Sequence, residues 1–397
     1  MMNHIPDGHG VDAVEEDEIT GIYGDDADGE ALLSLRKKIK FEPWHHPVKQ
    51  LIRRRQWVAQ VDRLIGQEQG RVISYLSLPG ADMLDVRVLG ESVQKNGGAI
   101  RLLGFNARQV SNDETGVQLN AESVLRQEGI ITDDSLTLPD RLQDIAVGRS
   151  HAAAKLAEWG TFDVINIDLC DHFGSATPSP NMFDVIERIV AHQRVRTRPW
   201  LLMITTRVDP DNVGLAREKF SKPIDTNLAA AAQFEASLVE ALALGEESIG
   251  DELAGCWGKS GEPIAKIFAI GMGKYLLHFL HNQIQDPAKV ELASCFGYRV
   301  YGNDVDMLST VFRIKPIEKV VIAVGVEQVD IPEIEISSAL QIVRKAGALI
   351  DGDAVLNADQ NMMDMVEDTE KMLSKVDYDI SGYRPWLRAL TARACQV

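Results

Sequence analysis

Short apolar runs alternate with amphipathic stretches along most of this chain, and the alternation sets out its elements. Residues 73–78 read as a strand ending in a Leu78-Pro79-Gly80 turn. Residues 83–95, apolar at Leu84, Val88 and Leu89, read as a helix stopped by Asn96-Gly97-Gly98. Strands follow at 100–105, 135–138, 162–169 and 200–206, separated by helices at 119–127, 151–159 and 182–193. The run at 200–206 is unbroken, as expected of a strand buried on both faces. A helical region at 211–246 and an apolar helix at 263–283 precede two strand-like segments, 289–301 and 307–315, with Gly302-Asn303-Asp304 between them as a hairpin signal.

Strands that alternate with helices in this order predict an α/β protein with a doubly wound, mostly parallel seven-stranded sheet that ends in an antiparallel hairpin. Helical, charged appendages flank it. The expected division is an acidic disordered tail at 1–30, a basic-aromatic helical segment at 31–69, the α/β domain at 70–316, and a mainly helical appendage at 317–397. That last part carries a strand at 319–326, helices at 337–349 and 362–375, and an acidic run from Asp351 through Asp379.

Charge changes the picture at the ends. The 397 residues carry a formal net charge of −18, which speaks against indiscriminate nucleic-acid binding. Residues 1–30 hold acids and no Lys or Arg, yet the next stretch sets Lys49, Arg53, Arg54 and Arg55 among Trp44 and Trp57. Basic groups beside aromatics can pair phosphates and stack bases. Three readings stand: a solvated helical face with its tryptophans packed on the main domain, a nucleic-acid surface over residues 36–63, RNA before DNA, or pairing with the acidic tail. The acidic ends also offer a surface to a protein partner. Trp44-His45-His46-Pro47 lacks the helical spacing that aims two histidines at one metal ion, so no metal site is expected. The longest apolar runs are strand-sized, the N-terminal residues lack the basic and apolar blocks of a targeting signal, and the four cysteines have no paired spacing. A cytoplasmic protein with no membrane partner is expected.

Candidate chemistry gathers where the fourth strand ends, in Asp168, Cys170, Asp171 and His172. Ligands of open α/β sheets bind outside the carboxyl ends of the strands, so this strand is expected to feed a site.

The element order and the Ser77-Leu78-Pro79-Gly80 loop resemble the class I S-adenosylmethionine-dependent methyltransferase fold over residues 70–316. A dinucleotide-binding dehydrogenase would instead place Gly-x-Gly-x-x-Gly after the first strand, where this chain has Gly80 alone. The resemblance implies S-adenosyl-L-methionine as cofactor. Gly80 would let the backbone approach its methionine portion and adopt an unusual φ, with Ser77, Pro79, Asp82 and Asp85 around it. The family's acid for the ribose hydroxyls is replaced by Asn106, and Asp140 or Asp144 would stand near the adenine. Asp168 would lie beside the transferable methyl. Cys170 is either a thiolate nucleophile toward a pyrimidine or a buried, inert thiol; it follows Leu169 rather than the proline of pyrimidine-C5 enzymes. Asp168 and Asp171 would orient an amine, although the loop lacks the prolines of adenine-N6 enzymes. His172 is a base or a hydrogen-bonded bystander. The activity implied is methyl transfer to nucleic acid, RNA first, with a non-catalytic scaffold of the same fold as the alternative.

Overall fold

All seven strands expected from the apolar runs form, and they lie in one sheet. The computed structural model describes residues 37–394 apart from 108–111, 178, 246, 282–286, 318–330 and 359. The acidic tail at 1–30 and the strand expected at 319–326 therefore lie outside the described residues. The strands are β1 (Val72–Ser77), β2 (Ala99–Phe105), β3 (Leu136–Leu138), β4 (Val164–His172), β5 (Trp200–Arg207), β6 (Ala288–Tyr298), β7 (Met307–Pro316) and β8 (Ile350–Asp351). Their order is β3-β2-β1-β4-β5-β7-β6-β8. β1 to β5 are parallel, and β7 runs antiparallel between β5 and β6. Among the described residues, the eighth strand is the one addition to the expected sheet. Its two residues pair parallel to Phe296 and Gly297 of β6 and are too short to leave a pattern in the sequence.

The period-two pleat divides β5 between two cores. Trp200, Leu202 and Ile204 face one, and Leu201 and Met203 face the other. On the first face pack α5 (His151–Trp159), α6 (Met182–Gln193), α7 (Gly214–Ala230), α10 (Glu262–His281) and α11 (Ile331–Gly347). The other face is covered by α3 (Leu84–Lys95) and by an N-terminal helical run of α1 (Pro47–Leu51), a π-helical stretch (Ile52–Val58) and α2 (Ala59–Ile65). Val48, Ile52, Trp57 and Val61 of that run are buried against Tyr75, Met203 and Tyr298. The basic-aromatic segment is thus a core-forming layer on the sheet. Local signals fix the helix ends: the Asn181 side chain accepts from the backbone of Phe183 and Asp184, and Asp184 returns a bond to Asn181 N–H, a reciprocal cap for α6.

The two ends of the described chain meet. Lys38 forms a β-bridge with Tyr378, and Phe41 packs against Tyr378, Tyr383 and Trp386. The Tyr383 hydroxyl donates to the carbonyl of His45. Among the described residues no helix is long and apolar enough to cross a membrane.

Candidate active site

The sheet order reverses between β1 and β4, whose neighbours lead to opposite edges, and a crevice opens at such a switch point. A cavity of about 1080 Å³ occupies it. Its lining comes from the loop after β1 (Leu78 to Asp85), the end of β2 (Phe105 to Ala107), the loop after β3 (Arg141 to Gln143) and the end of β4 (Asp168 to Asp171). Lys37, Lys38, Trp44 and Arg53 from the N-terminal segment and Tyr378 from the C-terminal one complete it. Strand ends thus supply the floor, and both chain ends supply a wall.

Pro79, Gly80, Asp82, Asn106, Asp168, Cys170 and Asp171 all line this cavity, as the sequence expects of them. Ser77 does not. It is fully buried and its hydroxyl donates to Asp85, 2.6 Å away, which also accepts from Tyr75 at 2.9 Å. This network braces the start of α3 beneath the β1 loop. Asp82 is held by an ion pair to Lys38 and a hydrogen bond from the Tyr378 hydroxyl at 3.0 Å. Its role as a cofactor contact therefore competes with a role in tying both chain ends to the loop.

Gly80 requires a correction. Its backbone is not left-handed, and a Cβ built there meets nothing within 4 Å, so its position faces open cleft. The left-handed residue of this loop is Met83, with φ 51° and ψ 40° at the entry to α3. Asp140 and Asp144 also fall short of the cleft lining. Asp140 pairs with His151 at 2.9 Å, and Asp144 accepts from the backbone N–H of Arg141 at 3.1 Å, capping its own turn. Arg141 and Gln143 line the cavity in their place. Asn106 donates to Gln118 of α4 (Asn112–Gln127) at 2.7 Å, which fixes its orientation.

At the β4 end, Asp168 accepts from Lys49 at 2.5 Å, and the Lys49 ammonium lies 4.8 Å from the centre of the Trp57 ring. Lys49 was expected to face a polyanion, but it lies beneath the cleft with its side chain 6% exposed. Arg54 is paired with Asp368 and Glu91, Arg55 donates to Asn361, and Trp57 is fully enclosed. Of the six residues assigned to nucleic acid, Trp44 and Arg53 line the cleft, and only Arg55 is exposed. The physical reason is the apolar spacing of the same segment, which turns its helices onto the sheet. Cys170 is exposed, which removes the buried-thiol reading. His172 lies 3.2 Å from Asp209 with its side chain nearly buried, and it does not line the cavity.

His45, beneath the Trp44 wall, has its imidazole pKa lowered to about 3 by burial and by the charges of Arg53 and Lys38. Its Nδ1 accepts from the backbone of Glu42 at 3.0 Å, which needs the neutral ring. The unfolded ring titrates near 6.5, so between about pH 6.5 and about pH 3 the unfolded chain binds a proton that the folded one refuses. This contribution to stability is complete above the upper limit and is lost as pH falls. The denaturation midpoint is expected to drop between about pH 7.5 and about pH 5, less steeply in His45→Gln. Equal slopes in the two proteins would refute the assignment.

Strand order, the antiparallel insertion of β7 and a cleft on the β1–β4 switch point together define a class I S-adenosylmethionine-dependent methyltransferase fold. The chain belongs to the PP_RS20740-like family, whose profile matches residues 38–388. No curated protein matches it. Similar solved structures include a protein described as a class I S-adenosylmethionine-dependent methyltransferase from Listeria monocytogenes, 9% identical over 76% of this chain and 70% of that one, TM-score 0.34. Another is an S-adenosylmethionine-dependent methyltransferase from Agrobacterium tumefaciens, 12% identical over 40% of this chain and 45% of that one, TM-score 0.26. The METTL16 methyltransferase domain is 14% identical over 38% and 52%, TM-score 0.23. The chain thus spans less than half of the Agrobacterium protein and about half of the METTL16 domain, and the fold assignment rests on the strand order.

Proposed function

We propose that the protein is an S-adenosylmethionine-dependent methyltransferase working in this cleft. The observation that carries the reading is the convergence of Pro79-Gly80, Asn106, Gln143 and Asp168 from four consecutive strand ends on one cavity at the switch point. These residues fit the cofactor. Gly80 opens onto the cavity, Asn106 offers an amide where a ribose would lie, and the volume suits a ligand of that size. Bound there, the cofactor would supply a methyl group on a sulfonium sulfur, for transfer to an acceptor lone pair with the carbon–sulfur electron pair left on sulfur. Asp168 stands ready to take the proton the acceptor loses, and Lys49 holds the carboxylate in place. Nucleic acid as acceptor draws less support, because Lys49, Arg54 and Trp57 are engaged inside the fold.

The test is calorimetric titration with S-adenosylmethionine and S-adenosylhomocysteine. Micromolar binding is expected, weakened at least about a hundredfold in Gly80→Trp, whose Cβ meets nothing within 4 Å at this cleft-lining position. The alternative, a scaffold that keeps the fold without chemistry, is favoured by the amide at Asn106, which gives up the charge-assisted contact an acid would make. Binding no tighter than millimolar in the unaltered protein would select it.

A further inference from the structure

Arg53 is the buried cation of the cleft wall, whereas Lys37, Lys40 and Arg141, which also line it, are exposed. Lys38 is paired with Asp82 and Lys49 with Asp168. Arg53 is 3% exposed and pairs with no carboxylate among the described residues. Its Nη1 donates to two neutral acceptors, the Trp44 carbonyl at 3.2 Å and the Gln50 side chain at 3.3 Å, and its Nε has no acceptor among the described residues. Burying a charge without a partner costs several kcal/mol, a cost that sites for charged ligands carry until the ligand arrives. Asp85 and Asp168 act on the guanidinium electrostatically without bonding to it. The local backbone is also unusual. Arg53 belongs to the π-helical stretch Ile52–Val58, a kind of distortion that recurs at functional sites.

We propose that the acceptor is a small molecule bearing an oxyanion, a carboxylate or phosphate, that docks on the Arg53 guanidinium with its reacting atom turned to Asp168. The inference rests on the methyltransferase reading and deepens it. A planar guanidinium matches such an oxyanion through two parallel hydrogen bonds. The cavity of about 1080 Å³ lies just above the range of about 300–1,000 Å³ for one drug-sized ligand, so it admits the cofactor together with a small second molecule. Burial of the guanidinium argues against a polynucleotide at this position. A side chain 3% exposed beside Trp44 is within reach of one group entering the cleft and not of a run of phosphates.

The full-length protein saturated with S-adenosylhomocysteine is titrated with sodium phosphate and sodium acetate, and with acetamide as the neutral control. Phosphate or acetate is expected to bind and acetamide not, with affinity falling about tenfold in Arg53→Gln and less in Arg53→Lys, while S-adenosylhomocysteine affinity stays within about twofold. Arg53→Lys keeps the charge and tests the site if the glutamine variant fails to fold. Three results would overturn the proposal. One is no uptake of either anion. Another is loss of S-adenosylhomocysteine affinity with retained affinity for methylthioadenosine, which lacks the carboxylate and would assign Arg53 to the cofactor. The third is salt-sensitive binding of an RNA oligonucleotide that survives Arg53→Gln. Failure of the cofactor to bind at all sinks the methyltransferase reading separately, and the anion titration without cofactor still reports on Arg53.

Discussion

Asp163→Ala is expected to destabilise the fold by about 3–5 kcal/mol while the folded protein keeps its affinity for S-adenosylhomocysteine. Asp163 sits just before β4, between β1 and β5 at the amino end of the strands, opposite the cleft. Its carboxylate is paired with Arg71, with Arg196 at 2.6 Å, and with the backbone N–H of Ser74 at 2.9 Å. Both guanidinium groups are nearly buried, with side chains 9% and 8% exposed, so removing the acid strands Arg196 in a low-dielectric setting and leaves Arg71 with the half-exposed Glu68 alone, 3.2 Å away. Burial already lowers the Arg196 pKa against the pull of Asp163. Thermal unfolding reads the loss, and calorimetry below the new midpoint reads the affinity. A variant that melts with the unaltered protein would mean that water reaches these arginines. One that folds but no longer binds the cofactor would mean that the two ends of β4 are coupled.

The two ends of this strand also mark where sequence reading succeeds and where it stops. β4 and β5 are legible because their apolar runs are long and the pleat sends alternate residues into two cores. The site's position at strand ends follows from the same pattern, which is why Pro79, Asn106 and Asp168 line the cleft. Conformation inside a loop is less legible. Gly80 invites a left-handed backbone, yet the β1 loop puts that conformation on Met83 because α3 must begin there. Asp144 stands at the right place in the chain for a cofactor contact, but a short acid next to a turn binds its own backbone first. Long-range partners leave no local signal. Tyr378 reaches Asp82 across 296 positions and Lys49 reaches Asp168 across 119, and neither spacing has a period to read. The basic segment misleads for a related reason: its charges are conspicuous in sequence, while the apolar spacing of Val48, Ile52 and Val61 decides which way its helices face.

The Lys49–Asp168 pair separates stability from chemistry in one set of variants. Lys49→Met and Asp168→Asn, made singly, are each expected to destabilise by about 3 kcal/mol, since each leaves one charge of a largely buried pair without its counter-charge. With side-chain exposures of 6% and 20%, solvent relieves the loss more when Asp168 is left alone than when Lys49 is. The Asp168→Asn change should therefore be the more damaging. Combined, the two substitutions remove both charges at once and are expected to recover at least half of the summed loss, the signature of direct coupling in a double-mutant cycle. Methyl transfer should follow a different order. Lys49→Met keeps the carboxylate proposed to accept the proton and should retain measurable turnover. Both proteins with Asp168→Asn should lose turnover by about a hundredfold or more, within the range that general-base catalysis contributes, even where the fold is restored. Stability that recovers in the double variant without activity assigns Asp168 to the reaction and Lys49 to its positioning. Activity that returns with stability would make the pair structural and move the proton acceptor elsewhere in the cleft.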